Sequence, residues 1–346
     1  MRVAEDRLFR DLCAALVPGA GLEETGAALS GVIARLVAHD ALRCCVMSPS
    51  LGMGVSGLGF WHEYGPDLGR EVVSVGSMAG DRPGSLTALA RQPVPVGVAD
   101  RVRRVDAPDW LFAECGVGEE LSFVLRDLRG VWGVLGLARA AGARPFDAGD
   151  RHRIAAAGSS LIAAVRSYVI AGPLVPPAQR PPAGLLVVGP DGKVKSWTPQ
   201  ARRWLDPMVE RQAIPDWLFE ACAATLAFEA REHARDPRAR YPRVCVPSVG
   251  NGGWIAVEAQ PLGDDGDVAI LIQCATGALL LPTFCDWYQI TTREQQIMHS
   301  LQDGSAAKQI ARRLDLSVNT VNEHLKAIYR KTGACGRHDL IAAITA

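Results

Sequence analysis

The stretch GPLVPPAQRPPAG, residues 172–184, places five prolines among thirteen residues. Proline lacks a backbone N–H and has a locked φ, so neither a helix nor a central strand runs through such a segment. The residues before it must fold apart from the residues after it. The length of 346 residues agrees, since a domain takes about 150 residues. Hydrophobic residues make up 48% of the chain, enough for more than one core. No apolar run approaches the roughly 18–20 residues that span a bilayer. The opening MRVAEDRLFRDLCAALVPGA mixes charges with apolar residues, unlike a secretory leader. These features predict a cytoplasmic location and no membrane partner. Nine cysteines without a C-x-x-C pair argue against a disulfide framework or a paired-cysteine zinc site. No metal site or cofactor is evident.

Before the prolines, residues 6–17 and 22–38 have helical spacing, with Leu29, Val32, Ile33 and Leu36 three or four apart. ALRCCVM (41–47), GLGFWHE (57–63) and EVVSVG (71–76) read as strands. SFVLRDLRGVWGVLGLAR (122–139) reads as two strands about a turn at Asp127–Gly130, and 145–169 as one long helix capped by Asp147. After the prolines, GLLVVGPDGKVKSW (184–197) is a strand, a Pro-Asp-Gly turn and a strand. The short helix PQARRWL and the strands of 243–260 and 267–275 come next. Both units are therefore expected to be α+β, with antiparallel sheets and flanking helices. PDWLFAEC (108–115) and PDWLFEAC (215–222) are nearly the same octapeptide. They are either similar helix starts or traces of a repeated design.

The last sixty residues punctuate themselves. Thr291-Thr-Arg-Glu294 is a capping box for a helix ending near Gly304. Ser305 can cap a second helix, and Ser317 a third that Gly333 stops; 337–345 make a fourth. Short helices joined by tight turns describe a compact helical domain of the helix-turn-helix kind. On the third helix Asn319, Asn322, Glu323, Lys326 and Arg330 share an arc of about 100°, with Val321, Leu325 and Ile328 opposite. One side is core; the other is a ridge of amides and charges. Asn bonds adenine edges, Lys bonds guanine or phosphate, Arg does both, and a helix fits the major groove of double-stranded DNA. A merely solvated face is the blander reading. The formal charge of the whole chain is zero, but from residue 287 onward eight Lys+Arg stand against five Asp+Glu, a net of +3. That bias suits a polyanionic partner.

Residues 290–341 resemble the LuxR-type helix-turn-helix domain. The resemblance rests on Ile290, Thr291, Arg293, Glu294, Gly304, Ile310, Ala311, Leu314, Ser317, Thr320, Val321, His324, Lys331, Gly333 and Arg337. It implies a four-helix DNA-binding unit, acting as a homodimer on two half-sites, in a bacterial transcription regulator that could also touch RNA polymerase. By position it carries base reading to Asn322, Glu323 and Lys326, and backbone contacts to Lys308, Thr320 and Arg330. Asn319 and Lys331 complete the candidate DNA-binding set. Asn322 stands where the family has a basic residue, Glu323 brings a negative charge to the DNA side, and Gln289 replaces a common glycine. Glu294 and His324 are expected to lock helices together.

The first unit resembles a GAF domain through VWGVLGLAR, RPFDAGD and PVPVGVAD. The second resembles a PAS domain through GLLVVGPDGKVKSWTPQARRWL, with Thr198 where asparagine is usual. The implied organisation is a GAF-like domain at 1–171, a proline linker at 172–183, a PAS-like domain at 184–278, a linker at 279–289 and the LuxR-type domain at 290–346. Both upstream units would sense a signal or mediate dimerisation. For a small-molecule effector, candidate pocket residues are Trp61, His62, Tyr64, Phe112 and Phe123, each equally explicable as core. No enzyme activity is expected. The alternative is a redox or small-molecule enzyme on the first unit, with the helical tail used for association. It needs a reactive thiol, and Cys115 with Cys44 or Cys45 is the pairing the sequence offers.

Overall fold

Two antiparallel sheets with the same strand connectivity build the upstream part of the chain in the computed structural model. The structure describes all residues except 1, 53–57, 79–84, 101–114, 173, 175–180, 213, 249–252 and 346. The first sheet contains β1 (Ala41–Val46), β2 (Leu58–His62), β3 (Val96–Asp100), β4 (Val117–Asp127) and β5 (Gly130–Ala140), in the order β2-β1-β5-β4-β3. The second contains β6 (Gly184–Val188), β7 (Val194–Trp197), β8 (Arg243–Ser248), β9 (Gly253–Leu262) and β10 (Asp267–Cys274), in the order β7-β6-β10-β9-β8. The octapeptide echo does not match this shared order. PDWLFEAC opens the helix before the third strand of its unit, whereas PDWLFAEC ends just before the fourth strand of its own.

Strand β1 is buried at every position, which is why ALRCCV shows no polar alternation. Its Leu42, Cys44 and Val46 join a core with Leu12, Leu29, Ile33 and Leu161. Those come from α1 (Arg2–Ala15), α2 (Leu22–Ala34) and the closing helices. The opposite face holds a buried ion pair. Arg43 meets Glu120 at 2.8 Å, and Tyr64 donates to the same carboxylate at 3.1 Å. Gly136 on the strand between them makes the room, because a Cβ there would lie 2.6 Å from Arg43 Nε and 2.8 Å from Glu120 Oε1.

The structure departs from several sequence expectations. EVVSVG lies inside a helix, α3 (Pro66–Met78), not a strand. Pro66 and Asp67 start it, and Leu68 and Val72, one turn apart, pack beside Trp217. After the short α4 (Leu86–Ala90), the expected long helix at 145–169 is two, α5 (Ala148–Ala156) and α6 (Gly158–Val169), broken at Ala157. Asp147 does cap the first, in a full capping box with Asp150. The expected linker at 279–289 is mostly helix.

The second unit adds α7 (Pro199–Gln212) and α8 (Asp216–Arg235). The start of α8 reaches the first unit. Trp217 stacks edge-on against Trp61, with ring centroids 5.3 Å apart, and its ring fills the space a side chain at Gly69 would take. Arg240 donates to the Leu51 carbonyl at 2.9 Å and pairs with Glu229.

The chain then enters α9 (Gly277–Trp287), where Leu280, Leu281, Thr283, Phe284, Cys285, Asp286 and Trp287 are all buried. Asp286 Oδ2 accepts from Ser48 Oγ at 2.6 Å and from the Ser50 backbone N–H at 2.8 Å. Arg166 donates to the Trp287 carbonyl at 3.0 Å, and Arg129 to the carbonyls of Cys285 and Ile290 at 3.4 and 3.2 Å. Two cations thus sit at the negative end of the helix, where they are stabilising. Four further helices complete the fold: α10 (Thr292–Gln302), α11 (Ala307–Arg313), α12 (Val318–Thr332) and α13 (Arg337–Thr345). No helix among the described residues is long and apolar enough to cross a membrane.

Candidate nucleic-acid interface

The C-terminal helices are set by local signals. Thr291 Oγ1 accepts from the Glu294 N–H while Glu294 Oε2 accepts from the Thr291 N–H at 2.7 Å, closing the capping box. Ser305 does not cap α11. The N-cap is Ala306, whose N–H donates to the Gln309 side chain at 2.7 Å. The turn into α12 passes through Asp315 at φ 51°, and Arg293 pins it by donating to the Leu314 carbonyl at 2.6 Å. Ser317 Oγ accepts from the Thr320 N–H at 3.0 Å to start α12, and Gly333 ends it at φ 73° in the left-handed region.

Helix α12 divides as its periodicity requires. Val321 and Ile328 are fully buried, and Leu325 packs against the same core. Asn319, Thr320, Asn322, Glu323, Lys326 and Arg330 are exposed, as is Lys308 on α11. The ridge is open to solvent. Lys326 Nζ lies 2.8 Å from Glu323 Oε1, and both side chains are mostly in solvent. Such a pair is worth about 0.5 kcal/mol or less, so Lys326 is readily freed for another anion.

Lys331 is the exception. It lies about 120° from Asn319 around the helix, outside the arc. Its ammonium bonds Glu294 Oε2 at 2.6 Å and the Gln289 carbonyl at 2.9 Å. It fastens α12 to α10 instead of joining the exposed ridge. Burial alone would raise the Glu294 carboxyl, but Lys331 and the two Thr291 bonds outweigh it and hold the group below the usual carboxylate range. Gln289 sits at φ 51°, which explains why a glycine is favoured there.

Residues 289–344 match GerE, the bacterial regulatory proteins of the luxR family. The C-terminal unit is a LuxR-family domain. A monoamine regulon transcriptional regulator of Klebsiella aerogenes is 38% identical over 53 residues, 15% of this chain and 23% of that protein. The match is about as long as the LuxR-family segment, and the chain spans about a quarter of that relative's length. The crystal structure of Escherichia coli SdiA is similar over 46% of this chain and 81% of its own, at 16% identity and a TM-score of 0.16. An overlay that poor supports no argument about the upstream fold.

The candidate pocket residues scatter. Trp61 is buried and borders a cavity of about 150 Å³. His62, next on the strand, is half-buried and outside the cavity lining. Tyr64 is spent on Glu120. Phe123 is buried against Gly158, where a Cβ would fall 2.9 Å from its ring. Phe112 lies outside the described residues. Most of the lining comes instead from the second unit, including Phe219, Leu226 and Ile270. The sequence does not announce this cavity because its residues run from 22 to 272 with no local motif. Of the thiols the sequence offered as a redox pair, Cys45 and Cys115 pack in one cluster with Trp61 and Leu68. Burial, first of all, pushes Cys44 and Cys222 up to about 12, which keeps both as neutral thiols.

Proposed function

We propose that the protein is a cytoplasmic, sequence-specific DNA-binding regulator of bacterial transcription, in which α12 enters the major groove. Asn322, Glu323 and Lys326 read bases, with Asn319 beside them, while Lys308, Thr320 and Arg330 hold the phosphate backbone. The observation that carries this reading is the exposed polar ridge of α12 on a segment that matches the luxR family. Asn, Lys and Arg are the side chains whose donors fit base edges and phosphates. The protein acts as a homodimer on paired half-sites and as a regulator without catalysis of its own. The upstream units are GAF-like and PAS-like sensor or dimerisation modules, a reading supported by their antiparallel sheets with flanking helices. They take a small-molecule effector, and the DNA-bound form contacts RNA polymerase. Incubating the purified chain with fragmented genomic DNA and sequencing the retained fragments tests this. Enrichment of a shared, two-fold symmetric motif is expected; recovery of fragments with no common sequence would refute sequence-specific binding.

A further inference from the structure

Helix α12 carries one apolar side chain that its core does not use. Val321 and Ile328 are fully buried and Leu325 packs with them, whereas Val318, the first residue of the helix, is 39% exposed. Among the described residues it is the one large exposed hydrophobic within the LuxR-family segment 289–344. Local helix formation gives no reason for valine here. A β-branched side chain has a lower helix propensity than Ala, Glu or Lys. The start of α12 is set by Ser317 instead, whose Oγ accepts from the Thr320 N–H.

The position of Val318 supplies a reason. It precedes Asn322 by one turn and lies about 40° from it around the helix. The two residues are therefore neighbours along one edge of the exposed ridge. Helix side chains lean toward the N-terminus, which puts Val318 at the leading tip of α12. In a helix-turn-helix the N-terminal residues of the second helix are the ones that meet base edges.

The chemistry of the two neighbours is complementary. An asparagine bonds the N6 and N7 edge of adenine, and an apolar side chain matches the C5 methyl of thymine. Both groups lie on the major-groove side of A·T pairs. Residues one helical turn apart are about 5–6 Å apart and base pairs are stacked about 3.4 Å apart, so this spacing spans neighbouring pairs. Valine is also stiff at χ1 and loses little freedom on docking.

We propose that Val318 is a specificity-determining residue that packs against the C5 methyl of a thymine in the major groove. The proposal rests on the reading of α12 as the helix that enters DNA. It adds an apolar contact to a ridge otherwise built of hydrogen-bonding and charged groups.

The probes are the duplex recovered by selection and copies in which each thymine in turn is replaced by deoxyuridine, which lacks the methyl and keeps the base pair. Fluorescence anisotropy of the full chain should find one thymine whose replacement weakens binding about 3- to 5-fold, the effect of one buried methyl. Val318→Ala should weaken binding to the thymine duplex by a similar factor. Replacement of that thymine should then cost the variant less than about twofold. Alanine is the better helix former, so a poorer helix does not explain such a loss. If no thymine methyl matters to the unaltered chain, or if the methyl effect is as large in Val318→Ala, the proposal is overturned and sequence-specific binding still stands. If selection recovers no common sequence, the DNA-binding reading fails and this contact fails with it.

Discussion

Asp286, three residues before the LuxR-family segment, ties α9 to the first unit. Its Oδ2 accepts two hydrogen bonds, from Ser48 Oγ and the Ser50 N–H. Asp286→Ala removes the acceptor of both bonds; the Ser48 hydroxyl keeps Ser50 Oγ at 3.1 Å, and the Ser50 N–H loses its partner. A bond to a charged group contributes about 1.5–3 kcal/mol, and the two are not additive because they share one oxygen. The net loss should be about 2–3 kcal/mol, confined to the attachment of α9. At about 1.4 kcal/mol per tenfold, amides of 277–287 should exchange with solvent about 30- to 150-fold faster where local opening limits exchange. The core strand β1 should be unaffected. Asp286→Asn, which keeps one acceptor oxygen, should fall between. Peptide-level hydrogen exchange reads this directly. Equal exchange in α9 of the variant and the unaltered chain would refute the idea that this carboxylate holds the helix.

Two other perturbations arise from the packing. The Glu294 carboxyl is held low in the folded chain, so its contribution is complete above its unfolded value of about 4.3 and disappears as pH falls through the lower folded value. Glu294→Gln should therefore destabilise the LuxR-family domain by about 1–2 kcal/mol at neutral pH, with the deficit shrinking in acid; a deficit that stays constant between pH 7 and pH 3 in denaturant titrations would contradict this. Gly69→Val puts a side chain where the Trp217 ring lies, and such overpacking costs about 1–3 kcal/mol. Faster proteolysis at the proline segment is the expected result, and unchanged cleavage would show that the seam does not depend on this contact.

Local chemistry makes the C-terminal helices legible in the sequence. Thr291, Ser317 and Gly333 announce helix ends by bonds within three or four residues, and α12 sorts its own faces through a 3.6-residue period. The same period places Lys331 off the exposed ridge, but its bond to Glu294, 37 residues away, is not a local signal. Helix α3 is hidden because EVVSVG is rich in β-branched residues, which favour strands until a partner surface decides otherwise. Here Leu68 and Val72, packed beside Trp217, decide it. Helix α9 lacks a polar face because even its exposed side is built of Ala278 and Pro282. The role of Asp286 depends on Ser48, 238 residues away, and no window of sequence contains both. Nor does any window contain the cavity.

The central claim is that the exposed face of α12 reads base pairs. On a fragment recovered by selection, fluorescence anisotropy of the full chain and of Lys326→Ala at several salt concentrations tests it most directly. The account predicts a loss of about 1–3 kcal/mol for Lys326→Ala on that fragment and affinity that falls steeply with salt for both proteins. Equal affinities for the two proteins, or binding indifferent to salt, would contradict it.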